Sequence, residues 1–207
     1  MSWFPFFTEL SGQPALIVGG GVVALRKVEK LLPFGAELKV VSPRFTEELL
    51  HMEGVERIER EFLPSDVEGM RFVIGATDSE ETNSLIHRLC RERNIPVNIV
   101  DDKEKCTFLF PALVKRGEFV AAFTTGGNSP LAAKYLREKT EESLPERFDE
   151  IIAFMGEIRA EIRERVSEGK ERERILKKVF ALAMERGERP KEEEWKALLK
   201  GGKDHAG

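Results

Sequence analysis

The sequence predicts an α/β protein: a Rossmann-type parallel sheet, then a small α+β segment, then a C-terminal helical domain. Three observations predict it. Short, fully apolar runs such as ALIV at residues 15–18 and FVIGA at 72–76 alternate with helical patterns, as strands buried on both faces of a parallel sheet do. The glycine turn Gly19-Gly20-Gly21 joins the first run to the first helical pattern. From about residue 146 the composition shifts to charged amphipathic helix.

The elements follow in order. After the strand at 15–18, Val23, Ala24, Val28, Leu31 and Leu32 recur at helical spacing, and Gly35 supplies a stop. Residues 37–41 (ELKVV) form the second strand, which Ser42-Pro43 ends. A helix carrying Phe45, Leu49 and Leu50 comes next, then a strand at 55–58, the strand at 72–76, a helix near 80–93 and a strand at 97–100. Beyond Asp101 two more strands are expected, at 107–113 and 118–124, joined by the turn Lys115-Arg116-Gly117. Gly126-Gly127-Asn128-Ser129-Pro130 then opens a helix, with Asn128 or Ser129 as its cap and Pro130 in the first position. Ile151, Ile152, Met155, Ile158, Ile162 and Val166 form one face of the next helix. Two further helices are expected at 171–186 and 190–200, before a frayed tail at 201–207.

Composition bounds the function. The 207 residues carry a net charge of −4, which argues against a chain-wide nucleic-acid footprint. Cys90 and Cys106 have no metal-ligand spacing, so the chain reads as a reduced, cytoplasmic protein without a disulfide framework. The N-terminus has no basic region ahead of a long apolar run, so no signal peptide and no membrane span are expected. His51, His87 and His205 are scattered and indicate no metal site.

Gly19-x-Gly21-x-x-Ala24 fits the dinucleotide fingerprint in its proper context, after a strand and at the head of a helix. The first glycine permits the turn, the second admits a pyrophosphate, and the small third residue lets helix and strand pack. The amides at the start of that helix, from Val22 and Val23 onward, then face the phosphates. A glycine turn that serves packing alone is the competing reading. The acidic residue expected about 20 positions on for the ribose hydroxyls is absent. Ser42-Pro43-Arg44 stands there instead. Ser42 can hydrogen-bond a ribose hydroxyl, and Arg44 could meet a 2′-phosphate; NAD is expected over NADP. Thr77, after the fourth strand, completes the candidate cofactor-binding set.

Several segments together resemble the precorrin-2 dehydrogenase family, which includes the N-terminal module of bacterial siroheme synthase. They are Phe4-Pro5-Phe6-Phe7, the VGGGVVALRK stretch at 18–27, and Gly75-Ala76-Thr77-Asp78 with Asn83. They continue with VNIVDD at 97–102, FLFPA at 108–112, and TTGGNSP at 124–130 leading to Leu136-Arg137-Glu138-Lys139. The resemblance implies NAD-dependent oxidation of precorrin-2 to sirohydrochlorin, with insertion of ferrous iron as a further activity of some members. It also implies a homodimer and a stand-alone form of the module. The family serine that precedes the Gly-Gly pair and can be phosphorylated corresponds to Thr125 here. The domains expected are an NAD-binding Rossmann domain at 1–112, a dimerisation segment at 113–145 and a helical domain at 146–207.

The same resemblance assigns catalysis to Asp101. Removing two hydrogens from a reduced tetrapyrrole needs a hydride acceptor, which a nicotinamide supplies, and a proton acceptor, which a carboxylate beside the crevice supplies. Local sequence alone would read Asp101 and Asp102 as turn caps, and Asp102 keeps that reading. Lys103, Lys105, Lys115, Arg116, Lys134 and Arg137 are candidates to neutralise substrate carboxylates, with a solvated charged face as the alternative. The pair Tyr135-x-x-x-Lys139 matches short-chain dehydrogenases, but the glycine spacing of that family is different. A sensor module, in which the Rossmann half reports redox state without catalysis, is the rival function class.

Overall fold

The computed structural model describes residues 3–200, which divide into two compact units at the Phe110/Pro111 junction. The tail expected at 201–207, with His205, lies outside the described residues.

The first unit is a five-stranded, fully parallel sheet in the order β3-β2-β1-β4-β5. Its strands are β1 (Pro14–Val18), β2 (Glu37–Ser42), β3 (Val55–Glu59), β4 (Phe72–Gly75) and β5 (Val97–Ile99). Helix α1 (Val22–Leu31) follows β1, the short α2 (Glu47–His51) follows β2, and α3 (Glu80–Glu92) follows β4. Alternation along the strands sorts the core into two layers. Ala15 and Ile17 of β1 pack with Val40 and Ile74 against Ala24, Val28 and Leu31 of α1. Leu16 and Val18 pack with Val41 and Val73 against Ile86, Leu89 and Cys90 of α3. Both faces are covered, which is why the strands read as unbroken apolar runs.

Local chemistry sets the helix boundaries. One turn of 3-10 helix at Leu32–Phe34 follows α1, and Gly35 closes it in the left-handed region at φ +70°. The Thr46 hydroxyl accepts from the Leu49 amide at 3.4 Å to start α2, and Ser79 accepts from Thr82 at 3.2 Å to start α3.

The second unit begins with a two-stranded antiparallel sheet, β6 (Ala112–Arg116) and β7 (Phe119–Phe123). This corrects two expectations. The strand expected at 107–113 starts only at Ala112, and the turn falls at Gly117-Glu118, because Lys115 and Arg116 still pair with Val120 and Phe119. Thr107 instead bonds back to β5: its hydroxyl accepts from the Val97 amide at 2.8 Å, and its own amide donates to the Val97 carbonyl at 2.8 Å. Helix α4 (Pro130–Ser143) follows, with Pro130 at the first position and the Ser129 hydroxyl accepting from Ala132 at 3.2 Å. Helices α5 (Phe148–Arg165), α6 (Gly169–Arg186) and α7 (Glu192–Lys200) complete the unit. Phe154, Ile158, Ile162, Ile175, Val179 and Trp195 form their shared core. Phe154 is fully in that core while Ile152 and Met155 are only half-buried, so the inward face of α5 is rotated from the one expected. The Rossmann-type sheet, the small α+β segment and the C-terminal helices are those the sequence predicts.

Candidate functional site

The carboxyl ends of β1, β4 and β5 leave the sheet along one edge. The strand order reverses between β1 and β4, the switch point at which doubly wound sheets open a ligand crevice. The chain turns there through Gly19-Gly20-Gly21 into α1. Gly19 has φ +121°, and a Cβ on it would lie 2.3 Å from the Ala76 carbonyl oxygen. A Cβ on Gly20 would lie 2.0 Å from the Arg44 carbonyl oxygen and 2.8 Å from Ser42 Oγ. The fingerprint leaves the middle position free, so this requirement at Gly20 was invisible in it. Gly21 is different: a Cβ there would meet no heavy atom within 4 Å. Ala24, at the fingerprint's third position, is fully buried against β1.

Open space therefore faces Gly21, where the first amides of α1 emerge. Unlike α2, α3 and α4, α1 has neither a side-chain cap nor an acidic residue in its first turn. Its leading N–H groups and the positive end of its dipole are left to a ligand, and the exposed Val22 and Val23 flank them. An anionic pyrophosphate fits this chemistry.

On the β2 side, Ser42 is buried and its hydroxyl donates to the Arg44 carbonyl at 2.6 Å, holding the turn that approaches Gly20. Pro43 and Arg44 are exposed, which leaves the Arg44 guanidinium as the free polar group of this trio. On the β4 side, Thr77 Oγ1 donates to Asn83 Oδ1 at 2.9 Å, and Asn83 Nδ2 donates to the Thr77 carbonyl at 2.9 Å. This reciprocal pair fixes the loop after β4 to α3.

Asp101 follows β5 in the left-handed region, at φ +62°, a conformation that Asp and Asn tolerate better than other side chains. The turn is held from both sides, by Val100 N–H to the Gly75 carbonyl at 2.9 Å and by Asp102 N–H to the Ile99 carbonyl at 3.3 Å. The exposed Asp101 carboxylate makes no hydrogen bond or ion pair among the described residues. Asp102 does the structural work. Its carboxylate accepts from the Glu104 amide at 3.2 Å and the Lys105 amide at 3.3 Å, and pairs with the Lys105 ammonium at 3.0 Å. The Lys105 contact holds its pKa below the ordinary value. Buried Asn98 ties the returning chain to β5, donating to the Phe108 carbonyl at 3.0 Å and to Cys106 Sγ at 3.3 Å.

Lys27, on α1, was not singled out by the sequence. Its ammonium lies 4.0 Å from the centre of the Phe110 ring and interacts electrostatically with Asp101. Most of the cations that the sequence did offer already have carboxylate partners. Lys105 pairs with Glu80 and Asp102, Arg116 with Glu141, Lys134 with Glu138, and Arg137 with both Glu138 and Glu141. Burial pushes the Cys90 thiol up to about 11 and also raises that of Cys106, so neither is a thiolate at neutral pH.

A parallel sheet with an uncapped helix behind a glycine turn at its switch point defines a dinucleotide-binding protein of the doubly wound class. The family described as "Putative NAD(P)-binding" matches residues 6–112, and the chain belongs to it. Siroheme synthase of Pseudoalteromonas translucida is 37% identical over 183 residues, covering 87% of this chain and 39% of that protein. Siroheme synthase 1 of Pectobacterium atrosepticum is 38% identical over 183 residues, covering 87% of this chain and 38% of that protein. The chain thus spans about two fifths of the length of these relatives. The solved structure of SirC, a precorrin-2 dehydrogenase, superposes with a TM-score of 0.72 at 21% identity, covering 96% of this chain and 98% of that one. The resemblance drawn from the motifs is borne out by these relatives, and the shared fold by that structure.

The two inner glycines predict opposite phenotypes. Gly20→Ala drives a Cβ into the Arg44 carbonyl and costs about 1–3 kcal/mol of stability, read as a lowered melting temperature. Gly21→Asp meets open space, so it melts like the parent but loses NAD binding in a titration, because it sets a like charge where the pyrophosphate belongs. Near-normal NAD affinity in folded Gly21→Asp would place the cofactor elsewhere.

Proposed function

We propose that the chain is an NAD-dependent dehydrogenase that oxidises precorrin-2 to sirohydrochlorin in siroheme formation. One observation carries this reading: an unpartnered carboxylate, Asp101, follows β5 on the same sheet edge as the dinucleotide turn. The similarity to siroheme synthases over 87% of the chain supports a role in siroheme formation. Bound NAD supplies the hydride acceptor.

The remaining chemistry falls to the chain. The amides of Val22 and Val23 would hold the pyrophosphate and Arg44 the adenine ribose, while the Thr77–Asn83 pair keeps the loop after β4 fixed to α3. Asp101, free of internal hydrogen bonds and ion pairs, accepts the proton released as the tetrapyrrole is oxidised. The same carboxylate can take protons from the pyrrole nitrogens when Fe²⁺ enters the product, so ferrochelation belongs to the proposal. A sensor module has no use for this free carboxylate, and that observation favours the enzyme.

The proposal includes a cytoplasmic homodimer. No described helix is long and apolar enough to cross a membrane. On α4, Leu131, Tyr135 and Leu136 are 80%, 58% and 47% exposed, and a second copy related by a two-fold axis would cover them. A dimeric mass at micromolar concentration is expected; a strictly monomeric one contradicts this part of the proposal.

Anaerobic incubation with precorrin-2 and NAD, with and without Fe²⁺, tests the activity through the absorbance of the product and of NADH. Asp101→Asn is the decisive variant. Asn adopts the left-handed turn at least as readily as Asp, so folding and NAD affinity are retained. The rate should fall about 10²- to 10⁴-fold for want of a proton acceptor. Full dehydrogenase activity in this variant removes Asp101 from the mechanism.

A further inference from the structure

We infer that Lys27 is a specificity-determining residue: a cation in the crevice wall that anchors one carboxylate of the substrate beside Asp101. The inference rests on the reading of the substrate as a polycarboxylate tetrapyrrole.

The geometry of α1 motivates it. Its buried stripe runs through Ala24, Val28 and Leu31, and Lys27 sits at the margin of that stripe rather than on the solvent face. The chain returning from β5 lies along this margin: Phe108 stacks edge-on against Phe72 at 5.7 Å between ring centres, and Phe110 covers the Lys27 ammonium. The side chain is half-buried and makes no hydrogen bond or ion pair among the described residues. A desolvated ammonium with no counter-ion is costly, and chains usually avoid it by pairing or exposing the charge. The aromatic face of Phe110 offsets part of that cost. The rest is relieved when a ligand brings a carboxylate.

The groups around it set the charge. Lys30 approaches the same ring at 5.8 Å, and Asp101 and Cys106 face Lys27 from the turn after β5. Burial, helped by repulsion from Lys30, takes the Lys27 ammonium down to about 8, against the pull of the Asp101 carboxylate and, once ionised, the Cys106 thiolate. The sign for folding follows. Below pH 8 the folded and unfolded chains both hold the proton, and the folded state bears the full cost of burial. Between about 8 and the ordinary value of 10.5 the unfolded chain binds more proton, so the Lys27 contribution to stability rises with pH. Lys27→Met should therefore melt above the parent at neutral pH, with the gap closing as the pH rises. That variant is a well-folded probe of binding.

The experiment combines binding and turnover. Uroporphyrin, a stable octacarboxylate tetrapyrrole, is titrated by fluorescence quenching against the parent, Lys27→Met and Lys27→Arg, beside steady-state kinetics with precorrin-2. Loss of one charge-assisted contact predicts that Lys27→Met weakens uroporphyrin binding and raises KM by about 10- to 100-fold, with kcat and NAD affinity little changed. Lys27→Arg keeps the charge and recovers most of the affinity. In the parent, KM should climb above pH 8, whereas in Lys27→Arg it should not. Unchanged uroporphyrin affinity and KM in Lys27→Met overturn the inference while leaving the dehydrogenase reading intact. Lys27-dependent uroporphyrin binding without oxidation of precorrin-2 supports the anchor and overturns the reaction. A parent that neither binds the one nor oxidises the other overturns both.

Discussion

The structure of the site depends on one close approach. The turn after β1 lies so near the ends of β2 and β4 that no side chain fits between them at Gly19 or Gly20. This contact fixes where α1 begins, and so where its unpaired amides point. It also joins three strand exits into one edge, since the Ala76 amide donates to the Val18 carbonyl at 2.8 Å and the Gly19 amide to the Val41 carbonyl at 2.9 Å. The residues proposed for the site are all hung on that edge: Gly21 for the phosphates, Arg44 for the ribose, and Asp101 after β5. A looser turn would leave the same residues present but not convergent.

Two of the charges without a hydrogen bond or ion pair among the described residues lie within reach of each other's field in this frame. Asp101 and Lys27 interact through space without closing a salt bridge. An exposed pair of this kind would contribute little to stability, and a half-buried lysine detracts from it. The surrounding chain nevertheless spends Asn98, Asp102 and Lys105 on holding the segment that carries Asp101 and Phe110. A half-buried ammonium beside a carboxylate in a left-handed turn is consistent with the proposed ligand site.

Much of this was legible in the sequence. The alternation of apolar runs with helical spacing gave the parallel sheet, because strands buried on both faces leave that signature. Ser129-Pro130 announced the start of α4 through capping chemistry that is local. The hairpin was read less well: residues 107–111 are as apolar as a strand, but Thr107 pairs beside β5 and the chain then returns over α1, a tertiary choice that periodicity does not record. Gly20 and Lys27 were missed for related reasons. The need for glycine at position 20 comes from a carbonyl 24 residues away in sequence, at Arg44. Lys27 looked like any helical lysine until Phe110 was seen to lie across it. The candidate cations of the middle segment drew attention through proximity in sequence, whereas folding supplied most of them with carboxylates of their own.

The central claim is that the dinucleotide binds on the amides at the head of α1. Amide NMR during NAD titration tests it most directly. The signals of Gly21, Val22 and Val23 should shift together and saturate at one concentration, while those of Gly69, Arg71 and Asn94, which line a cleft at the opposite ends of the strands, stay in place. Shifts confined to that opposite cleft, with Gly21, Val22 and Val23 unmoved, would contradict the account.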